Sequence, residues 1–246
     1  MFGGGDKKGL TKNIRAVTFD AYGTLVRLDK PFDRFVRQLE RFGLRIPHDV
    51  AKQVFMTEMA YYRDHHLEAK TPERLLSLRH RCADLLFRGL ETAGVPSRFS
   101  AEQKLQILMG AIRFRLFADV PMILRWCASR GFATGVISNW DFSLKTILER
   151  LCASYPFNCV IISATEGMTK SAPGLFLKAA ECLSLDPSQI VHIGDEVDSD
   201  FDGARAAGFV PVLLDRTGEA KSPPVRKIRT LTDFPRIYEQ IQNEAF

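Results

Sequence analysis

Four short stretches carry residues that could do chemistry on a phosphate ester. VTFDAYGTLV (17–26) is an apolar run that ends in one carboxylate, Asp20, and then turns through Gly23 and Thr24. A second run ends in Ser138-Asn139, a third is followed by Glu166, Gly167 and Lys170, and a fourth ends in Gly194-Asp195 with Asp200 five residues on. Asp20 is an oxygen nucleophile able to form a mixed anhydride, splitting one displacement into two easier ones. Attack by an anion on an anion needs countercharge. Mg²⁺ suits that need, held by Asp20, a backbone carbonyl and Asp195. Lys170 adds positive charge at the transferring group, while Thr24, Ser138 and Asn139 are placed to bind phosphate oxygens. Asp200 is expected to orient Lys170 or a metal-bound water. Taken singly, these groups have ordinary readings: an Asp after a strand caps a helix, a Ser does the same, and a Lys is solvated. Their order, one group at each successive strand end, is what points to chemistry.

The elements that position them are legible as β-branched or apolar runs at 14–19, 132–138, 159–163, 190–194 and 209–214. Helix-period segments at 120–130, 142–152, 173–183 and 199–207 alternate with them. Strand and helix in alternation predict right-handed crossovers and a parallel sheet covered on both faces, an α/β Rossmann-like doubly wound core. In such a sheet ligands bind beyond the carboxyl ends of the strands, where the polar residues collect.

Between the first two runs, residues 27–117 show no convincing strand and read as about four helices, divided by turn signals at Gly43 to Pro47, Thr71-Pro72 and Gly94 to Ser97. That length exceeds a loop and predicts an inserted all-helical domain. The expected organisation is a flexible tail at 1–12, a catalytic core at 13–27 and 118–246, and a helical cap at 28–117. Within the core, residues 215–230 are Pro-rich and charged and read as a surface loop, followed by a last amphipathic helix at 235–241.

Composition sets the class. With 46% hydrophobic and 26% charged residues the 246-residue chain is globular. It has neither a signal-like N-terminus nor a run long enough to span a membrane, so a soluble, cytoplasmic protein is expected. The five cysteines lie singly without CxxC spacing, as buried thiols do. A net charge of +5 fits a small anionic substrate; the basic residues are spread along the chain and form no nucleic-acid motif.

FDAYGTL, ISNWD, Lys170 in MTKSAPGLF, and IGDEVDSDFDGARAAGF resemble, in order, the four motifs of the haloacid dehalogenase superfamily. The resemblance implies an Asp nucleophile, a Mg²⁺ ion and catalysis between core and cap. Its branches leave different marks. DAYGTL is similar to the 2-haloacid dehalogenases, in which a halide leaves unprotonated and Tyr22 stands where the phosphatases carry a second acid. GDEVDSD, with Asp195, is similar to the metal-dependent phosphatases. The leading expectation is a Mg²⁺-dependent phosphatase without its usual general acid, slow on alkyl phosphates, with His65 or His66 as conceivable substitutes. Two alternatives stand beside it: a 2-haloacid dehalogenase, with Arg34, Arg37 or Arg41 holding a substrate carboxylate, and a catalytically weakened binding or regulatory module.

Overall fold

The computed structural model describes residues 13–219 and 226–243; the expected tail at 1–12 lies outside them. Six parallel strands form the central sheet: β1 (Ala16–Phe19), β4 (Ala133–Ser138), β5 (Cys159–Ile162), β6 (Ile190–Gly194), β7 (Val210–Leu214) and β8 (Lys227–Ile228). Their order is β5-β4-β1-β6-β7-β8. The chain builds outward from β1 in one direction, then returns to the other side of β1 at β6, so Asp20 follows the strand at which the order reverses.

Strand burial explains the apolar runs. All four residues of β1 are buried, with Val17 and Phe19 in one apolar cluster and Ala16 in another, as the two-residue period of a strand requires. The first cluster is completed by α5 (Val120–Ser129), α6 (Leu144–Leu151) and α10 (Phe234–Asn243). The second is completed by α8 (Gly174–Leu183) and α9 (Gly203–Ala206). The short helix α7 (Ser163–Glu166) follows β5 directly.

Three expectations need correction. Residues 27–117 are not strand-free: β2 (Val26–Leu28) and β3 (Phe114–Leu116) pair antiparallel, Val26 opposite Leu116, as a ribbon through which the chain leaves and re-enters the core. Residues 215–230 are not all loop, because β8 extends the sheet beside β7; residues 220–225 of that stretch lie outside those described. The helix expected at 199–207 starts at Val197 as a wide turn running to Asp202 and becomes α9 only at Gly203. The thiols are unpaired and four are buried, but Cys182 is exposed.

Four helices lie between β2 and β3: α1 (Pro31–Arg41), α2 (His48–His65), α3 (Pro72–Thr92) and α4 (Ala101–Ala111). Thr71 caps α3, with Pro72 at its first position, and Ser100 forms a reciprocal capping box with Gln103. The helices bury an apolar cluster of their own around Phe35, Phe55, Leu78, Phe87 and Leu108.

Arg216 fixes the base of the ribbon. Its guanidinium donates to both carboxylate oxygens of Asp119 at 2.8 and 3.1 Å and to the carbonyls of Gly23 and Thr24 at 3.1 and 2.8 Å. It also lies over the Phe117 ring, 3.9 Å from its centroid.

Candidate active site

The strand ends bring the expected residues to one rim. Asp20 follows β1, and its Oδ1 accepts both from Ser138 Oγ at 3.0 Å and from Lys170 Nζ at 2.5 Å. Its other oxygen, Oδ2, has no hydrogen-bond partner among the described residues. Lys170, 2% exposed, also donates to Asp200 Oδ1 at 2.5 Å, so one ammonium separates two buried carboxylates. Asp200 thus meets the lysine directly, the first of its two expected roles. Its own place is fixed by His192 Nε2 at 3.1 Å and by the backbone amide of Glu196 at 3.0 Å.

The sequence motifs do not single out His192. It is a buried imidazole in an otherwise apolar strand, its Nδ1 3.0 Å from the Thr18 hydroxyl. Burial lowers its pKa and keeps the ring neutral, which fits Nε2–H donating to Asp200 and Nδ1 accepting from Thr18. Although burial works the other way, Lys170 and His192 hold the Asp200 carboxyl well below the usual carboxylate range. Burial pushes Asp20 up to about 8, with Lys170 pulling it back and Asp200 and Asp195 adding to the rise.

Asp195 stands at the rim after β6, and Asp20, Asp195 and Asp200 each offer an oxygen within 4.8 Å of the others. Two features of the backbone allow this crowding. A Cβ on Gly23, whose φ is +87°, would lie 2.2 Å from Asp195 Oδ2, and one on Gly194 would lie 2.1 Å from Asp200 Cγ. The donors suit a hard divalent cation: carboxylate oxygens alone, with no thiol or imidazole between them. Asp200 is already committed to Lys170, His192 and an amide, which leaves Asp20 and Asp195 as the side chains open to a metal. Thr24 is turned differently from expectation, its hydroxyl donating to Asp195 Oδ1 at 3.2 Å. Asn139 Oδ1 accepts from the Lys170 amide at 3.0 Å, and the residue lines the cavity. Glu166 pairs with Lys178 at 2.7 Å, away from the site.

Asp20, Ser138, Asn139, Lys170 and Glu196 form the floor of a cavity of about 400 Å³ roofed by the helical insert. The roof and walls are largely apolar, with Phe55, Met59, Leu108, Ile112, Phe114 and Trp140. Tyr22, 42% exposed, packs its ring 6.2 Å from that of Trp140 at the edge of the cavity. Insert and core are joined along one seam. Tyr62 donates to Asp141 Oδ2 at 2.5 Å, the Phe142 amide donates to the Ala69 carbonyl at 3.1 Å, and His66 Nε2 lies 2.9 Å from Ser163 Oγ.

That seam corrects the histidine expectation. His66 Nδ1 donates to the Arg63 carbonyl at 2.7 Å, burial depresses its pKa, and its Nε2 lies 2.9 Å from Ser163 Oγ, which also bonds the Trp140 carbonyl. The one proton of the neutral ring is committed to the Arg63 carbonyl. His65 stacks on Tyr61 at 3.9 Å and does not line the cavity. The arginines also differ from expectation. Arg34 bonds Asp29 at the ribbon, and neither it nor Arg37 or Arg41 reaches the cavity, which is lined by Arg63 and Arg79.

Fold and site together point to a hydrolase with a Rossmann-like core. Residues 14–208 match the model of the haloacid dehalogenase-like hydrolases, and the chain belongs to that family. Among its relatives, haloacid dehalogenase-like hydrolase domain-containing protein 3 of Mus musculus is 26% identical over 207 residues, covering 82% of each chain. A glyceraldehyde 3-phosphate phosphatase of Methanopyrus kandleri is 27% identical over 223 residues, 90% of this chain and 92% of that one. The solved structure of L-2-haloacid dehalogenase from Xanthobacter autotrophicus shares the fold, with a TM-score of 0.66 at 19% identity over 92% of this chain and 98% of that one. No helix among the described residues is long and apolar enough to cross a membrane.

Proposed function

We propose that this protein is a Mg²⁺-dependent phosphatase of small phosphate monoesters that works through an aspartyl-phosphate at Asp20. In this reading residues 13–27 and 118–246 are the catalytic core and 28–117 the cap, and the protein works in the cytoplasm. The observation that carries it is the close approach of Asp195 to Asp20, two carboxylates that repel unless a cation lies between them. The relative named as a glyceraldehyde 3-phosphate phosphatase, which spans nearly the whole chain, supports the same reading.

The side chains divide the work. Asp20 attacks phosphorus with one carboxylate oxygen, and Ser138 and Lys170 hold the side chain in place through Oδ1. As the new O–P bond forms, the ester O–P bond breaks and the leaving group departs with its electron pair. Lys170 balances charge on the transferring group while Asp200, backed by His192, keeps the ammonium in place. Mg²⁺, held by Asp20, Asp195 and the Tyr22 carbonyl, would neutralise charge on the phosphoryl oxygens. Water then cleaves the acyl phosphate and regenerates Asp20.

Tyr22 leaves the departing oxygen without a carboxylic acid to protonate it. General acid catalysis is worth about 10²- to 10⁴-fold, so substrates with stable leaving anions, aryl or acyl phosphates, are favoured. Tyr22 beside Asp20, with Arg63 and Arg79 on the cavity wall, also supports a second reading, 2-haloacid dehalogenation.

The test is phosphate release from p-nitrophenyl phosphate and acetyl phosphate with and without Mg²⁺, against Asp20→Asn as background. Turnover requiring both is expected. No release above background from folded, Mg²⁺-binding protein would overturn the reading, and halide release from a 2-haloacid would put the second in its place.

A further inference from the structure

Helix α2 carries into the cavity a group for which the proposed reaction has no use. Phe55, Glu58, Met59, Tyr62 and Arg63 line the cavity from one face of that helix, and His66 does so just beyond its end. The Tyr62 end is fixed to the core through Asp141, and His66 through Ser163. At about 1.5 Å per residue, Glu58 lies roughly 6 Å along the helix from Tyr62 and roughly 12 Å from His66, the two side chains that the core holds. Glu58 on the roof and Asp20 on the floor line the same cavity, so a molecule whose phosphate reaches Asp20 can meet Glu58 with its other end.

Glu58 is 4% exposed and lies beside the Cys82 thiol on α3. No Lys, Arg or His forms an ion pair with it among the described residues. Phe55, Met59, Leu108 and Ile112 line the same cavity and make much of its roof apolar. Arg63 and Arg79 line the same cavity but form no ion pair with Glu58; Arg63 acts on Tyr22, and Arg79 on Tyr62 and Cys82. A buried carboxylate without an ion-pair partner is costly unless it takes up a proton or a cation enters. Burial accordingly pushes it up to about 7.

Resting on the phosphatase reading, we propose that Glu58 is a specificity-determining residue that receives an ammonium group at the far end of the substrate, a phosphate monoester with an apolar spacer and a terminal amine. The apolar walls accept the spacer. Lys170 on the floor then meets the phosphate and Glu58 on the roof meets the amine.

The test is equilibrium binding, by calorimetry with Mg²⁺ present, of butyl, hexyl and octyl phosphonates ending in methyl, hydroxyl or ammonium. These ligands cannot be hydrolysed, so the measurement needs no turnover. At the best chain length the ammonium ligand should bind at least roughly tenfold more tightly than the other two, as a charge-assisted hydrogen bond in a dry site allows. In Glu58→Gln that preference should disappear. Equal binding of the three ligands, tighter binding of the hydroxyl ligand, or a preference that survives Glu58→Gln would overturn the inference. Phosphate release from p-nitrophenyl phosphate without an ammonium preference would overturn it alone. No release and no phosphonate binding would overturn the phosphatase reading and this inference with it.

Discussion

The hydroxyl of Thr24 and the carboxylate of Asp195 meet at 3.2 Å across 171 positions of sequence, and the backbone of Gly23 beneath them leaves no room for a side chain. Gly23→Ala would place a methyl group 2.2 Å from Asp195 Oδ2 and also strain a residue at φ +87°. Gly43, at φ +82° with nothing near its Cβ position, separates the two effects. Both alanine variants should lose about 1 to 3 kcal/mol of stability. Only Gly23→Ala should lose Mg²⁺ affinity, by at least roughly tenfold, in calorimetric titration.

Lys170 keeps two buried carboxylates apart. Lys170→Met leaves Asp20 and Asp200 facing each other without the ammonium, and removing one partner of a buried ion pair costs about 3 to 5 kcal/mol. Denaturant unfolding should show that loss, and Lys170→Met/Asp200→Asn should recover part of it. A double variant as unstable as the single one would show that the carboxylate repulsion is not the cause.

Restoring the missing acid gives a gain of function. Tyr22→Asp should raise turnover of glycerol phosphate by about 10²-fold or more, the scale of general acid catalysis. The gain on p-nitrophenyl phosphate should be much smaller, because its leaving phenolate is stable without a proton. Steady-state kinetics on the two substrates checks this, and equal gains on both would count against the role given to position 22.

Glu58 gives a pH dependence of stability with a definite sign. Its folded-state pKa is raised by burial from 4.5 to about 7, so the folded chain binds its proton more tightly than the unfolded chain. The stability contributed is complete below about pH 4.5 and is lost as the pH rises through about 7, by up to about 3 kcal/mol. Glu58→Gln should therefore become more stable relative to the parent between pH 5 and pH 8. Denaturation curves of both proteins at the two pH values measure the difference.

The strands and the order of the site residues were legible because buried parallel strands are continuous apolar runs, and because their carboxyl ends gather whatever polar residues follow them. The ribbon was not. VRL and FRL are three-residue strands whose pairing is long-range and whose central arginines break any apolar signal. Arg216 sat in a stretch read as loop, since one guanidinium gathering Asp119 and two carbonyls leaves no periodic trace. Helical spacing showed that α2 and α3 are amphipathic, but Arg63 and Arg79 rather than Arg34 face the cavity because of how the helices dock. His192 left one readable sign: a lone imidazole inside IVHIG, where a buried strand calls for an apolar residue.

The Arg216 clamp bears on how such a molecule can change over generations. It holds Asp119 and the Gly23 and Thr24 carbonyls on the core side of the ribbon, so both crossings are pinned before the chain enters the helices. Replacements in the insert away from the seam at Tyr62, His66 and Ala69 leave both the clamp and the Asp20 loop untouched. The roof can drift toward a new substrate while the reacting atoms stay where they are.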